Sequence, residues 1–383
     1  MEIYLDNSAT TRPSPEVRRT LMQAMDTEWY NPSSLYRPSM EVQKKQESIR
    51  ALCLHAAGAD GQSLVFTGSG TEADNLAILG RMARLRGGGR VLFSCVEHPA
   101  VLMCRQELEK AGWAVETVAV TPDGRVDLQK LEEQLSSDVR LLVIMQVNNE
   151  TGAVQPLEEI TRLRDRLSPE CSIHVDGVQG FLRCPVAFNR LRIQSYALSG
   201  HKIHALKGIG ALIFRKDHAL SPCVWGGGQE YGLRSGTENT PGILSLGTAV
   251  ASFPKDAPER MRAMKVRLWE QIRARIPRAV VNGPEPSGPV SAPHILNVSL
   301  PPVRSQTMLF ALEGEGIYVS AGSACSSHRQ KLSPVLSAMG IRGERADCAI
   351  RFSFCPDNRM EDMDTVAEVI ARQYAVLGQY TRR

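Results

Sequence analysis

Short, almost wholly apolar runs alternate with longer stretches in which apolar residues recur at helical spacing. Residues 63–67, 90–94, 114–120, 140–147 and 171–175 read as strands, and 72–86, 99–111, 127–135 and 157–167 as the helices between them. Strands that lack polar alternation are covered on both faces. The pattern therefore predicts an α/β fold, a mostly parallel sheet with helices on either side. Ahead of this series, 2–5 reads as a short strand, a helix opens at Pro13 and Pro15, and another spans 38–57 after the turn Asn31-Pro-Ser-Ser34. A further strand, 194–198, precedes a glycine-rich stretch and a second apolar run at 211–214. Beyond about residue 253 the texture changes. A charged helix over 254–275 is followed by proline-rich stretches, strands at 294–300, 316–320 and 349–354, and a closing helix from about residue 360. The expectation is a large domain over 13–253 and a smaller α+β domain built from 1–12 and 254–383.

Ligands of such sheets sit at the carboxyl ends of the strands. Thr71, His98, Asn149, Asp176 and Lys202 all fall there. Lys202 lies in Ser199-Gly-His-Lys-Ile-His-Ala-Leu-Lys-Gly-Ile-Gly210, a stretch whose glycines suggest a mobile backbone. Lysine is the side chain that forms a Schiff base with an aldehyde. The ordinary alternative is a surface lysine in a glycine-rich hairpin. Gly68-Ser-Gly-Thr71, between a strand and a helix, offers backbone N–H groups and a hydroxyl suited to a phosphate, or simply a helix N-cap. Asp176 ends an apolar strand, where a carboxylate needs a cationic or N–H partner. A protonated pyridine nitrogen or a capped turn would each serve. His98, before Pro99, could stack on a flat cofactor and move protons, or cap a turn. Asn149 lies in a polar turn. Arg351, inside an apolar strand, needs a planar anion, either a substrate carboxylate or a protein one. Cys325, in Ser320-Ala-Gly-Ser-Ala-Cys-Ser-Ser-His328, is surrounded by small residues, which suits a thiol that must reach a substrate.

Composition narrows the classes. The chain has 383 residues, 43% hydrophobic, enough for a large core and about two domains. A net charge of +4 with 5% aromatics argues against direct nucleic-acid binding. No apolar run reaches the ~18 residues of a membrane span, and the N-terminus carries no signal-peptide pattern. Nine cysteines without a CxxC pair fit a reduced cytoplasmic protein better than a disulfide framework or a metal site.

Taken together, these motifs resemble the cysteine desulfurases, pyridoxal 5′-phosphate enzymes of the class V aminotransferase group. The resemblance runs from Tyr4-Leu-Asp-Asn-Ser-Ala-Thr-Thr11 through Glu97-His98, Val147-Asn-Asn-Glu-Thr-Gly152, His174-Val-Asp-Gly-Val-Gln179 and Arg234-Ser-Gly-Thr-Glu-Asn239 to Ser323-Ala-Cys325 and Ile350-Arg-Phe-Ser353. It implies the type I fold of pyridoxal-phosphate transferases, with the cofactor in the large domain and Cys325 on the small one. Lys202 would anchor the cofactor, Asp176 pair with the ring nitrogen, Gln179 with the ring hydroxyl, and His98 stack on the ring. Thr71, Ser199 and His201 would hold the phosphate, and Thr237 would reach the phosphate of a neighbouring subunit, implying a homodimer. Asn149 and Arg351 would bind the carboxylate of L-cysteine. The implied reaction yields L-alanine and a persulfide on Cys325, whose sulfur passes to an acceptor protein in Fe–S assembly or tRNA thiolation. His98 would handle the thiol proton, with His328 a further candidate. The room between Cys325 and Arg351 resembles the long-loop branch. A selenocysteine lyase or a class V aminotransferase is the alternative on the same fold; a transaminase would not need Cys325. Three positions depart from the common pattern: Tyr36 where many relatives have His, Gly177 where Ala is common, and the segment 355–358.

Overall fold

The computed structural model describes residues 2–321 and 333–380. It opens with β1 (Ile3–Tyr4), α1 (Pro15–Thr27) and α2 (Arg37–Ala56). Strands and helices then alternate: β2 (Ser63–Thr67), α3 (Gly70–Met82), β3 (Arg90–Ser94), α4 (Pro99–Leu102), α5 (Cys104–Lys110), β4 (Ala114–Val118), α6 (Leu128–Gln134), β5 (Val139–Met145), α7 (Leu157–Leu167), β6 (Ser172–Asp176), β7 (Ser195–Ser199), β8 (Gly210–Phe214) and α8 (Thr240–Ser252). The remainder comprises α9 (Ala257–Arg275), β9 (Val280–Val281), β10 (Ile295–Ser299), α10 (Ser305–Gly314), β11 (Ile317–Tyr318), β12 (Ser320–Ala321), α11 (Pro334–Ala338), α12 (Gly343–Asp347), β13 (Ala349–Ser353) and α13 (Met360–Leu377).

The main sheet has the order β2-β8-β7-β6-β5-β3-β4. The run from β4 to β7 is parallel, and β8 is antiparallel to both neighbours. β8 is reversed because only residues 200–209 separate it from β7, too few for a crossover. Both faces are covered, as all-apolar strands require. Val91, Phe93, Leu141 and Val143 pack with Ile78 and Met82 of α3. The intervening Leu92, Leu142 and Ile144 pack on the other face with Ile160 of α7 and Ile243 and Leu246 of α8. Order reverses between β3 and β5, since β4 follows β3 outward and β5 returns on its inner side. That switch point opens a crevice at the carboxyl ends of the strands.

A second core joins Ile3 and Leu5 to Met261, Leu268, Leu296, Val298, Ile350, Phe352, Val366 and Ile370. Its antiparallel sheet has the order β12-β13-β10-β9. Two elements differ from the sequence reading. The helix expected over 99–111 is two pieces, although Met103 between them keeps helical torsions (φ −72°, ψ −18°), so the apolar spacing survives the break. The strand expected over 316–320 is divided between sheets, β11 pairing with β1 and β12 with β13.

Candidate active site

Five elements deliver side chains to the carboxyl-end crevice. Asp176 is the last residue of β6 and is buried. One oxygen, Oδ1, accepts the Val178 N–H at 2.9 Å, so the ordinary capping role is real. Among the described residues no cation forms an ion pair with it. Burial pushes its carboxyl above the usual range, while the nearby His98 ring, the Val178 N–H and Lys202 pull it back. His98, after β3, caps α4: its Nδ1 accepts the Ala100 N–H at 3.1 Å. A neutral His98 ring therefore carries its proton on Nε2. Burial keeps it neutral, against the pull of Asp176. In both residues one atom satisfies the local backbone and the other remains for the site.

Lys202 follows β7 in a short 3₁₀ turn. Its Nζ donates to the carbonyls of Ser8 at 2.6 Å and Ala9 at 2.7 Å. Residues 199–210 do connect two antiparallel strands, as the hairpin alternative held, but the lysine is half-buried and turned inward. At Gly200 the backbone is closely packed. Gly200 is buried, its N–H donates to Ile209 O at 3.0 Å, and a Cβ there would lie 2.7 Å from Ile209 Cγ2. Glycine is required by close packing here, not by freedom.

At the start of α3, Ser69 is the N-cap, accepting the Glu72 N–H at 3.1 Å, and Thr71 lies exposed on the first turn. Asn75 Nδ2 donates to Thr71 O at 2.9 Å and Ala100 O at 3.0 Å, which ties this helix end to the His98 turn. Ser199 is buried beside it. A Cβ on Gly70 would stand 2.6 Å from Val178 Cγ2 and 3.3 Å from Ser199 Cβ, so α3 can approach this closely only with glycine. His201 Nδ1 lies 3.0 Å from Thr10 Oγ1, and burial with the charge of Lys202 lowers its pKa to about 4. Gln179 is turned to the N-terminal segment, its Nε2 donating to Ser8 O at 3.0 Å, while its Oε1 accepts from Arg183 at 3.2 Å. Thr237 is exposed, in the segment that Arg234 pins to Glu72 at 2.9 Å.

Arg351 of β13 donates from Nη1 to Asn149 O at 3.0 Å and pairs through Nη2 with Asp6 Oδ1 at 2.7 Å, while its buried Nε has no partner among the described residues. The protein-carboxylate alternative is thus realised, with one donor left over beside Asn149. Asn148, not Asn149, builds the turn: its Oδ1 accepts the N–H groups of Glu150 and Thr151 at 3.0 and 2.9 Å. Cys325 and His328 lie outside the described residues.

The sequence reading assigned no role to the N-terminal segment, which supplies the Ser8 and Ala9 carbonyls and Asp6. Nor did it single out Glu97, Asp74 and His174 beneath Asp176. A carboxylate three residues past the strand end, directly before His98, was the available signal for Glu97.

The Aminotransferase class-V profile matches residues 3–366. A cysteine desulfurase of Trichormus azollae is 37% identical over 372 residues, covering 96% of this chain and 92% of that protein. This chain belongs to the class V aminotransferases, with the cysteine desulfurases. A cysteine desulfurase of Clostridium botulinum is 33% identical over 97% of this chain and 94% of its own. Among solved structures, a NifS-like protein superposes with a TM-score of 0.90 at 31% identity, covering 98% of this chain and all (100%) of that one. A structure titled "SspA in complex with cysteine" has a TM-score of 0.81 at 30% identity, covering 92% and 99%.

The cofactor of this family is pyridoxal 5′-phosphate, and the residues present fit it. Asp176 is a buried carboxylate with no ion pair among the described residues, Lys202 is a half-buried amine, and the bare backbone at Gly70 opens a helix N-terminus next to Ser199. Three departures from the common pattern acquire structural settings. The space a Cβ on Gly177 would occupy is filled by the Tyr196 ring, with Cζ only 1.9 Å away. Asn358 accepts the Cys355 N–H at 2.8 Å and donates to Tyr4 O at 3.1 Å, fastening the 355–358 segment to the N-terminal strand. Tyr36 is exposed at the start of α2.

Proposed function

We propose that the protein is a cysteine desulfurase that converts L-cysteine to L-alanine and leaves the sulfur as a persulfide on Cys325. The observation that carries this reading is the convergence of Lys202, Asp176 and His98. They come from the ends of the parallel strands β7, β6 and β3, and each group acts electrostatically on the others. Bound pyridoxal 5′-phosphate supplies an aldehyde for an amine to hold and an electron sink for the charge left at Cα.

The rest of the work falls to the chain. Asp176 would pair with the ring nitrogen, Gln179 with the ring hydroxyl, and His98 would stack on the ring. Thr71, Ser199 and His201 hold the phosphate, with Thr237 contributed by a second copy of the chain in a homodimer. Asn149 and the Arg351 guanidinium receive the substrate carboxylate. The Lys202 amine takes the α-proton, and Cys325 as thiolate attacks the substrate sulfur. The C–S bond breaks, an S–S bond forms, and His98 manages the thiol proton. The persulfide sulfur then passes to an acceptor protein for Fe–S assembly or tRNA thiolation. The separate core shared by Ile3, Leu5 and α9–α13 supports dividing the chain into 13–253 and 1–12 with 254–383.

The eight described cysteines are all unpaired, which supports a reducing, cytoplasmic setting. No helix among the described residues is long and apolar enough to cross a membrane.

The test is incubation with L-cysteine alone, followed by measurement of alanine and by mass spectrometry of the protein. The reading expects alanine together with one added sulfur on Cys325, and loss of both in Cys325→Ala while the cofactor absorbance stays. Alanine released equally by Cys325→Ala would overturn it, because the C–S bond would then break without that thiol; a sulfur-containing 2-oxo acid in place of alanine would favour the aminotransferase alternative.

A further inference from the structure

Beneath the crevice lie three buried carboxyls, Asp74 of α3, Glu97 after β3 and Asp176 of β6. Asp74 has a partner: its Oδ1 stands 3.1 Å from His174 Nε2, and His174 Nδ1 lies 2.9 Å from Ser195 Oγ. Glu97 does not resemble it. Its Oε1 accepts the Ser94 hydroxyl and, at 2.7 Å, the Met145 N–H, so one oxygen bridges the ends of β3 and β5. Its Oε2 is buried and has no hydrogen-bond partner among the described residues. Met145 is the register partner of Asp176, and the Gln146 N–H donates to Asp176 O at 2.8 Å. Glu97 therefore spans the switch point and holds the strand against which Asp176 is aligned, while its own backbone leads directly into His98.

We propose that Glu97 is a positioning residue of the cofactor site. As a neutral acid it fixes the ends of β3 and β5, and with them His98 and Asp176, and it leaves Asp176 the carboxylate that carries the charge. The proposal rests on the reading of Asp176 as partner of the ring nitrogen. The physical reason is that a buried carboxylate without a cationic partner keeps its proton. The charged groups acting on Glu97 are Asp176 from β6 and Asp74 from α3, with the Cys95 thiol on its own turn; none is a cation. Burial, then the neighbouring Asp176, lifts its carboxyl to about 8, against the opposing hydrogen bonds of Ser94 and Met145. A second anion beside Asp176 would compete for the ring-nitrogen proton. A neutral acid gives the same bridge without that competition.

The experiment uses the cofactor-loaded enzyme, wild type and Glu97→Gln. Infrared difference spectra at neutral pH should show a protonated-carboxyl C=O band that Glu97→Gln lacks and that Ser94→Ala shifts, because the Ser94 hydroxyl bonds that carbonyl. The unfolding constant of wild type relative to Glu97→Gln should rise with pH between the unfolded and folded values of the acid, by up to about tenfold per pH unit. A raised folded value means that stability is full below the unfolded pKa and is lost on the way up to about pH 8. Glu97→Ala should weaken cofactor binding at least about tenfold, since it removes the bridge as well as the charge.

Absence of the band, or a pH-independent ratio, would overturn the neutral acid. Wild-type cofactor affinity in Glu97→Ala would overturn the positioning role. If Glu97→Gln does not fold, the Ser94→Ala band shift decides alone. Asp176→Asn separates the two readings: should it keep a normal cofactor spectrum, the ring-nitrogen assignment fails while the infrared result on Glu97 stands.

Discussion

Gly177→Ala adds only one methyl group, yet it should be severe here. A Cβ at residue 177 would lie 1.9 Å from Tyr196 Cζ, 2.3 Å from its hydroxyl and 2.4 Å from Cε1. Tyr196 is fully buried in β7, and its hydroxyl donates to Gln146 Oε1 at 2.7 Å. Gln146 in turn donates to the carbonyls of Cys184 and Pro185 at 3.3 and 3.2 Å. The ring can withdraw only by breaking that bond and moving into packed neighbours. Overpacking of this kind costs about 1–3 kcal/mol. A buried hydroxyl and amide left unpaired add about 1–3 kcal/mol. Together the substitution should cost roughly 2–6 kcal/mol.

Urea unfolding of Gly177→Ala, Tyr196→Leu and the double variant measures it. The expected result is strong coupling: with Tyr196→Leu already present, the added methyl should cost less than about 1 kcal/mol. Because Gly177 follows Asp176, cofactor affinity should fall in Gly177→Ala and recover in the double variant. A Gly177→Ala protein as stable as wild type, or costs that simply add, would refute the account of the ring as occupant of that space.

Lys202→Ala should lose the cofactor's absorbance near 400 nm (about, as for a pyridoxal held by an amine) together with alanine release, both read in one spectrophotometric titration. Arg351→Lys should raise KM for cysteine at least about tenfold with kcat less affected, because an ammonium cannot replace a guanidinium fork that also holds Asp6 and the Asn149 carbonyl. Lys265 is fully buried, donates to Ser291 Oγ and Ala292 O at 2.7 and 2.6 Å, and has its pKa lowered by burial to about 7. A depressed value in the folded state gives stability that is present above the unfolded pKa and lost as pH falls through 7. Wild type should therefore gain up to about 1.4 kcal/mol per pH unit between 7 and 10, and Lys265→Met should lack that rise in pH-dependent unfolding.

The sequence by itself determined the alternation of buried strands and helices, and with it the crevice to which Lys202, His98, Asp176 and Asn149 are delivered. That information is local: an apolar run fixes a strand, and the polar residue just past it falls at the strand's end. Single-residue alternatives were legible as pairs of possibilities. The structure satisfies both members of some pairs, since Asp176 and His98 each cap a turn with one atom and face the site with another. Tertiary structure alone decided what surrounds them. The Ser8 and Ala9 carbonyls that receive Lys202, the Asp6 carboxylate on Arg351 and the Tyr196 ring under Gly177 have no signature along the chain. The N-terminal groups arrive through pairings of β1 with β11 and of Asp6 with Ser353, segments hundreds of residues apart, and the Tyr196 ring through the pairing of β6 with β7. A backbone carbonyl is the same group at every position, so only the packed fold reveals which one an amine will meet.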